Sequence, residues 1–248
     1  MWRNLRRWQG VVLVVAALVS TVWLAFTNQL ILYIHPRYVV FTVIMAALGL
    51  VLVVASFVSK PDHDHEEPPS RWRAALSIAA TVLTLAVAVG LVVVPPATLT
   101  SATANQRVIN STGVGATTQN VSSAASAPSS TFAKFTVLDW SSLLRQTSDA
   151  SFYRDKAVDV TGFITADKSD PDNLFYVSRF VITCCAVDAQ PIGVPVYLPN
   201  WKSSFSTDQW VRVKGGFDTN PSRTSHESVA LLPTTTTRVD QPSDPYLY

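Results

Sequence analysis

The stretch YVVFTVIMAALGLVLVVASFVS, Tyr38–Ser59, decides the first question about this chain, because it carries no charged side chain. A helix needs about 20 consecutive apolar residues to cross a bilayer, and this run is long enough. Working outward, Trp8–Ile34 is also charge-free around the core GVVLVVAALVSTVWLAF, and Ala74–Pro96 reads AALSIAATVLTLAVAVGLVVVPP. The pattern predicts three transmembrane helices, at about 10–32, 38–59 and 74–96, in a membrane domain covering 1–96. Arg3, Arg6 and Arg7 make a basic start that a secretory signal would share. The first apolar stretch exceeds the 7–15 residues of a signal core, and two more follow, so it reads as a retained helix.

Lys and Arg concentrate on cytoplasmic loops. Arg3, Arg6 and Arg7 precede the first stretch, Lys60, Arg71 and Arg73 lie between the second and third, and Arg37 is alone between the first and second. The expected localisation is therefore a multi-pass membrane protein, with a cytoplasmic N-terminus and an extracytoplasmic C-terminal domain. None of the three stretches has a charged residue inside it. Such residues mark transport paths, so the bilayer reads as an anchor rather than a route.

The whole chain has 248 residues, 48 % hydrophobic and 15 % charged, with net charge +2. That balance offers no basic stripe for nucleic acid. Two cysteines exclude a disulfide-rich scaffold. Residues 97–131 are mostly Ala, Ser, Thr, Asn and Gln. They cannot bury enough apolar surface to offset ordering entropy, which predicts a disordered linker.

From Phe132 the pattern turns to short elements. TVLDWSSLLRQ reads as a helix capped by Asp139 or Ser141. Five runs rich in β-branched and aromatic residues follow, at 157–164, 174–185, 193–199, 209–217 and 228–240, separated by turn clusters such as KSDPDN and DTNPSR. In VRVKG, Val alternates with Arg and Lys as in a half-buried strand. The expected fold class is thus an α-helical membrane region plus a mainly-β domain at 132–248, a small OB-like barrel.

The candidate site residues lie at the end of the second strand run, RFVITCCAVDAQ, 179–190. Adjacent Cα atoms lie 3.8 Å apart, below the 4.4–6.8 Å usual for a disulfide. Cys184 and Cys185 on a continuing strand would face opposite sides. If the strand ends at Cys184, Asp188 joins a thiolate in the turn. Zinc takes four ligands, and His226 is the one imidazole of this domain. Two readings stand: core packing, or a metal or redox site shared with a partner. Arg179 is either an outward strand residue or a binding group facing Asp188. Asp62, His63, Asp64 and His65 in PDHDHEEP suit zinc or another divalent ion, or form a solvated turn. Trp201 and Trp210 would suit a carbohydrate face if exposed. No Gly-x-Ser-x-Gly elbow or phosphate loop occurs, so the chain reads as no enzyme.

VTGFI at 160–164, FYVSRFVITCCAVDAQPIGVPV at 175–196, WVRVKG at 210–215 and the terminal PSDPYLY at 242–248 resemble the YcgQ family of bacterial membrane proteins, whose C-terminal domain has no assigned role. The resemblance implies an accessory or regulatory subunit of a membrane permease, and no assigned catalytic activity. A His-rich loop between membrane helices implies metal in such relatives; here that loop is reduced to His63 and His65. The alternative function is a stand-alone envelope metal or redox sensor.

Overall fold

The computed structural model describes residues 2–58, 71–93, 98–111 and 119–248. The chain divides into two compact units, Met1–Ala97 and Thr98–Tyr248.

The first unit contains three helices, α1 (Trp2–Phe26), α2 (Val39–Val58) and α3 (Arg71–Val93). Asn28 takes a left-handed conformation (φ 56°) where the chain leaves α1. The His35 side chain then accepts the Arg37 N–H (3.1 Å) and Pro36 opens the next turn, so the chain enters α2 capped. Gly49 of α2 faces Leu18 of α1 so closely that a Cβ there would meet Leu18 at 3.3 Å.

The three-span expectation is corrected here. Among the described residues one helix, Pro36–Ser56, is long and apolar enough to cross a membrane. In α1 the matching apolar stretch is Val14–Phe26, short of the about 20 residues a crossing takes. Helix α3 opens on Arg71 and Arg73 and is richer in Ala, Ser and Thr than α2. A long apolar helix in a soluble core is mostly buried; Pro36–Ser56 is nearly all exposed, with Val40, Phe41, Val51 and Leu52 on its surface. It has the length and composition of a membrane span or a signal sequence.

The second unit begins with short helices α4 (Ser101–Asn105), α5 (Val121–Ala125) and α6 (Ser129–Phe132), then α7 (Val137–Gln146) and α8 (Ala150–Tyr153). Much of the stretch read as a disordered linker is therefore built into this unit. Ala104 and Ala124 are buried. Ser101 donates its N–H and hydroxyl to the Asp208 carboxylate (2.6 and 2.9 Å). Asn110, left-handed at φ 60°, exchanges side-chain bonds with the Gly193 backbone (2.8 and 2.9 Å). Polar side chains pairing with backbone replace the apolar burial that the composition lacks. Residues 112–118 lie outside the described residues.

Helix α7 starts on a capping box. Thr136 is the N-cap rather than Asp139 or Ser141, and the Asp139 carboxylate accepts the Thr136 N–H (2.8 Å). Its buried Val137, Leu138, Trp140 and Leu143 face the core.

The strands are β1 (Val158–Ala166), β2 (Leu174–Val181), β3 (Gln190–Tyr197), β4 (Trp210–Thr219), β5 (Val229–Arg238) and β6 (Tyr246–Leu247). They form one six-stranded mixed sheet in the order β1-β4-β5-β3-β2-β6, with β1 also paired to β2. Most pairings are antiparallel; β3–β5 at Val196↔Leu231 and β2–β6 at Phe180↔Tyr246 are parallel. This corrects the OB-like five-strand expectation: Tyr246–Leu247, unreadable as a strand by pattern, adds a sixth. In β4, Val211 and Val213 are buried and Arg212 and Lys214 exposed, as the alternation requires. Gly162 sits where a Cβ would lie 2.4 Å from the Ser178 carbonyl oxygen, so β1 and β2 approach this closely only with glycine.

Trp140 packs edge-on or tilted against Phe132, Phe135 and Phe217, joining α6 and α7 to β4. Trp201 is also fully buried, its indole N–H donating to the Pro171 carbonyl (3.1 Å). Trp210 is half-buried between Phe163 and the Arg179 guanidinium. Neither indole offers the open sugar-stacking face anticipated.

Candidate metal centre

Strand β2 ends at Val181, earlier than the sequence run suggested. Ile182 still donates its N–H to the Leu247 carbonyl (3.0 Å), after which the chain bends at Thr183 and Cys184 and winds into a single 3-10 turn, Ala186–Asp188. The alternation of side chains that holds along a strand therefore stops before the cysteines.

The bend is held by Asp188. Its carboxylate accepts the Thr183 N–H (3.2 Å) with one oxygen and the Cys184 N–H (2.7 Å) with the other. Its own N–H donates to the Cys185 carbonyl (3.0 Å). Arg107 donates from Nη2 to the Val187 carbonyl (2.9 Å), fastening the turn to the segment after α4.

The consequence is that ligand atoms of Cys184, Cys185 and Asp188 all lie within 4.8 Å of one another. Cys184 is exposed; Cys185 and Asp188 are half-buried. Zinc–sulfur bonds near 2.3 Å in a tetrahedron put donors about 3.7 Å apart. Side-chain rotation of roughly an ångström would close the set, so two thiolates and a carboxylate fit a zinc-class ion.

Arg179 stands elsewhere. Its guanidinium donates to the carbonyls of Asp244, Pro245 (2.9 Å) and Tyr246 (3.3 Å), and it lies over the Trp210 ring at 5.5 Å. Burial holds its pKa below the ordinary arginine value. It anchors β6 and does not face Asp188. Asp62, His63, Asp64 and His65 lie outside the described residues.

A second polar group went unread in the sequence. A cavity of about 290 Å³ is lined by Arg107, Lys168, His226, Asp167, Tyr176 and Glu227, among others. The buried Tyr176 hydroxyl meets Glu227 Oε1 (2.9 Å) and Asp167 Oδ2 (3.2 Å). Asp167 Oδ1 already takes the N–H groups of Ser169 (2.9 Å) and Asp170 (2.7 Å). A phenol carries one hydrogen, so it cannot donate to both carboxylates at once. Burial raises the pKa of Glu227, against the Tyr176 hydrogen bond, and the Asp167 charge raises it further. Burial and both carboxylates push Tyr176 upward.

The sign follows from linkage. A carboxyl whose folded pKa exceeds its unfolded value binds its proton more tightly when folded. The stability contributed by Glu227 is present below its ordinary value of 4.5 and is lost as pH rises through the raised folded value. Glu227→Gln is expected to flatten that part of the profile. Urea unfolding of the full chain at a series of pH values from 4 to 8 checks this, and parallel profiles for both proteins would refute it.

No curated protein matches the chain. Residues 9–110 match the DUF1980 N-terminal domain and residues 119–248 match the DUF1980 C-terminal domain. The bend carrying Cys184, Cys185 and Asp188 lies in the second of these. Together the two matches take in nearly all of the sequence, and the chain belongs to the DUF1980 family.

Proposed function

We propose that this chain is a metal-binding accessory subunit of a permease, held at the bacterial cell membrane, whose C-terminal unit presents a zinc-class ion to that partner. The observation carrying the metal half is the convergence of Cys184, Cys185 and Asp188 within 4.8 Å. The permease half is supported by the family-like blocks around the site and by α2, whose twenty residues contain no ionisable group. Ionisable residues within a membrane helix mark ion and proton paths; α2 carries none, which favours a path in a partner.

The test is the metal content of the full chain, purified in detergent under reductant and dialysed against zinc. One zinc per chain is expected for wild type, with loss on Cys185→Ser and on Asp188→Asn, which keeps an acceptor for one of the two backbone N–H groups. Wild type without stoichiometric metal would end the proposal. Gentle solubilisation with mass spectrometry of co-purifying proteins tests the partner. Metal binding without any recovered multi-span permease favours the second reading, a stand-alone envelope metal sensor, which rests on all three ligands belonging to this chain.

A further inference from the structure

Building on the metal reading, we infer that Cys184, Cys185 and Asp188 form an exchange site, which binds a d10 ion such as Zn²⁺ through three protein ligands and leaves its fourth position for a donor on the receiving molecule. Three observations carry this. First, structural zinc sites are closed by four protein ligands, whereas sites that must accept another molecule keep a position open. Among the described residues, no fourth His, Cys, Asp or Glu joins the three.

Second, the ligands come from one short segment at the surface. Cys184 is exposed, and Val187 between the ligands is 82 % exposed. An ion held there can be approached from solvent. A structural ion would instead tie distant elements together and contribute to folding.

Third, the segment is held by bonds among protein groups. Asp188 is pinned by the Thr183 and Cys184 N–H groups, and the turn by Arg107. Loading and unloading therefore require side-chain rotation and no refolding. The three ligands also differ in freedom. Asp188 is pinned and Cys185 half-buried, which leaves exposed Cys184 as the ligand that departs first.

The transfer step is a ligand exchange. A neutral imidazole or a thiolate of the receiver forms a bond to the ion at the fourth position. The Cys184 sulfur–metal bond then breaks, and that thiolate takes a proton from water. No electron moves, and the ion keeps its charge throughout.

Cobalt(II) makes the site visible in the full chain in detergent under reductant. Its thiolate charge-transfer band reports sulfur ligation, and its d–d bands report the remaining coordination. Imidazole is the probe for the fourth position. The expected result is a charge-transfer band in wild type whose d–d bands shift on adding imidazole while the charge-transfer band persists. Cys184→Ser is expected to keep cobalt with about half the charge-transfer intensity, to lose at least the about 10–100-fold in zinc affinity that even outer-shell losses produce, and to release zinc to a competing chelator faster than wild type. Thiolate-bound cobalt blind to imidazole would show a closed site, overturning the exchange inference while leaving metal binding intact. A wild-type spectrum lacking the charge-transfer band would overturn both readings together.

Discussion

Trp140→Ala is expected to destabilise the C-terminal unit by about 3–5 kcal/mol, the range for deleting a fully buried large aromatic. Trp140 has no exposed surface. Its ring centroid lies 5.2 Å from those of Phe135 and Phe217 and 5.8 Å from that of Phe132. These contacts join two short helices to β4, so the loss is not confined to one element. The substitution leaves a void among rigid rings, which relax poorly into it. Trp140→Phe is expected to cost clearly less. It keeps most of the ring volume, and it removes an indole N–H that is buried without a hydrogen-bond partner, a group whose desolvation is itself unfavourable. Urea unfolding of the full chain followed by circular dichroism checks both. Equal losses for Ala and Phe would mean the indole nitrogen matters more than the ring, against this account.

Arg179→Met is expected to free the C-terminal strand at a cost of about 4–5 kcal/mol, the low end for three hydrogen bonds from a charged group. Hydrogen bonds to charged groups are worth about 1.5–3 kcal/mol each, and Arg179 makes three, to Asp244, Pro245 and Tyr246. Methionine keeps the stem over Trp210 but donates nothing. The backbone carbonyls of 244–246 then lose their fork, and β6 is left with its short pairing to β2 at Phe180 and Val181. Faster proteolysis of residues 242–248 is the direct readout. Zinc content is expected to stay at the wild-type level, because the ligands are held by Asp188 and Arg107 instead. A variant that lost zinc with its C-terminus still protected would restore Arg179 to the binding site.

How far the site was legible depends on which forces are local. Cys184, Cys185 and Asp188 stand out in the sequence by residue type, but whether they converge depends on where β2 stops. The run LFYVSRFVITCC has no Gly or Pro to mark an end. The end is imposed by the Asp188 carboxylate capturing two backbone N–H groups and by the Tyr246–Leu247 strand taking the pairing only as far as Ile182. Arg179 is conspicuous for the same reason, but its hydrogen-bond partners lie 65–67 residues further on. The meeting of Glu227 with Tyr176 spans 51 residues, beyond the reach of a local pattern.

What the sequence determined by itself is what short-range chemistry dictates. Val39–Val58 lacks charge and is apolar all round, so a helix satisfies its backbone without water. The alternation in VRVKG assigns β4 its two faces, and the spacing of Leu138, Leu143 and Leu144 marks α7 as a helix, though not Thr136 as its cap. Only the tertiary structure decided the rest. Residues 98–111, poor in apolar bulk, are placed by polar bonds to β3 and to Asp208. The sixth strand exists because Arg179 holds the carbonyls before it. The two cysteines share a side with Asp188 because a bend, not a strand, carries them. Periodicity reports which face of an element is buried; it is blind to the point at which a distant group ends that element.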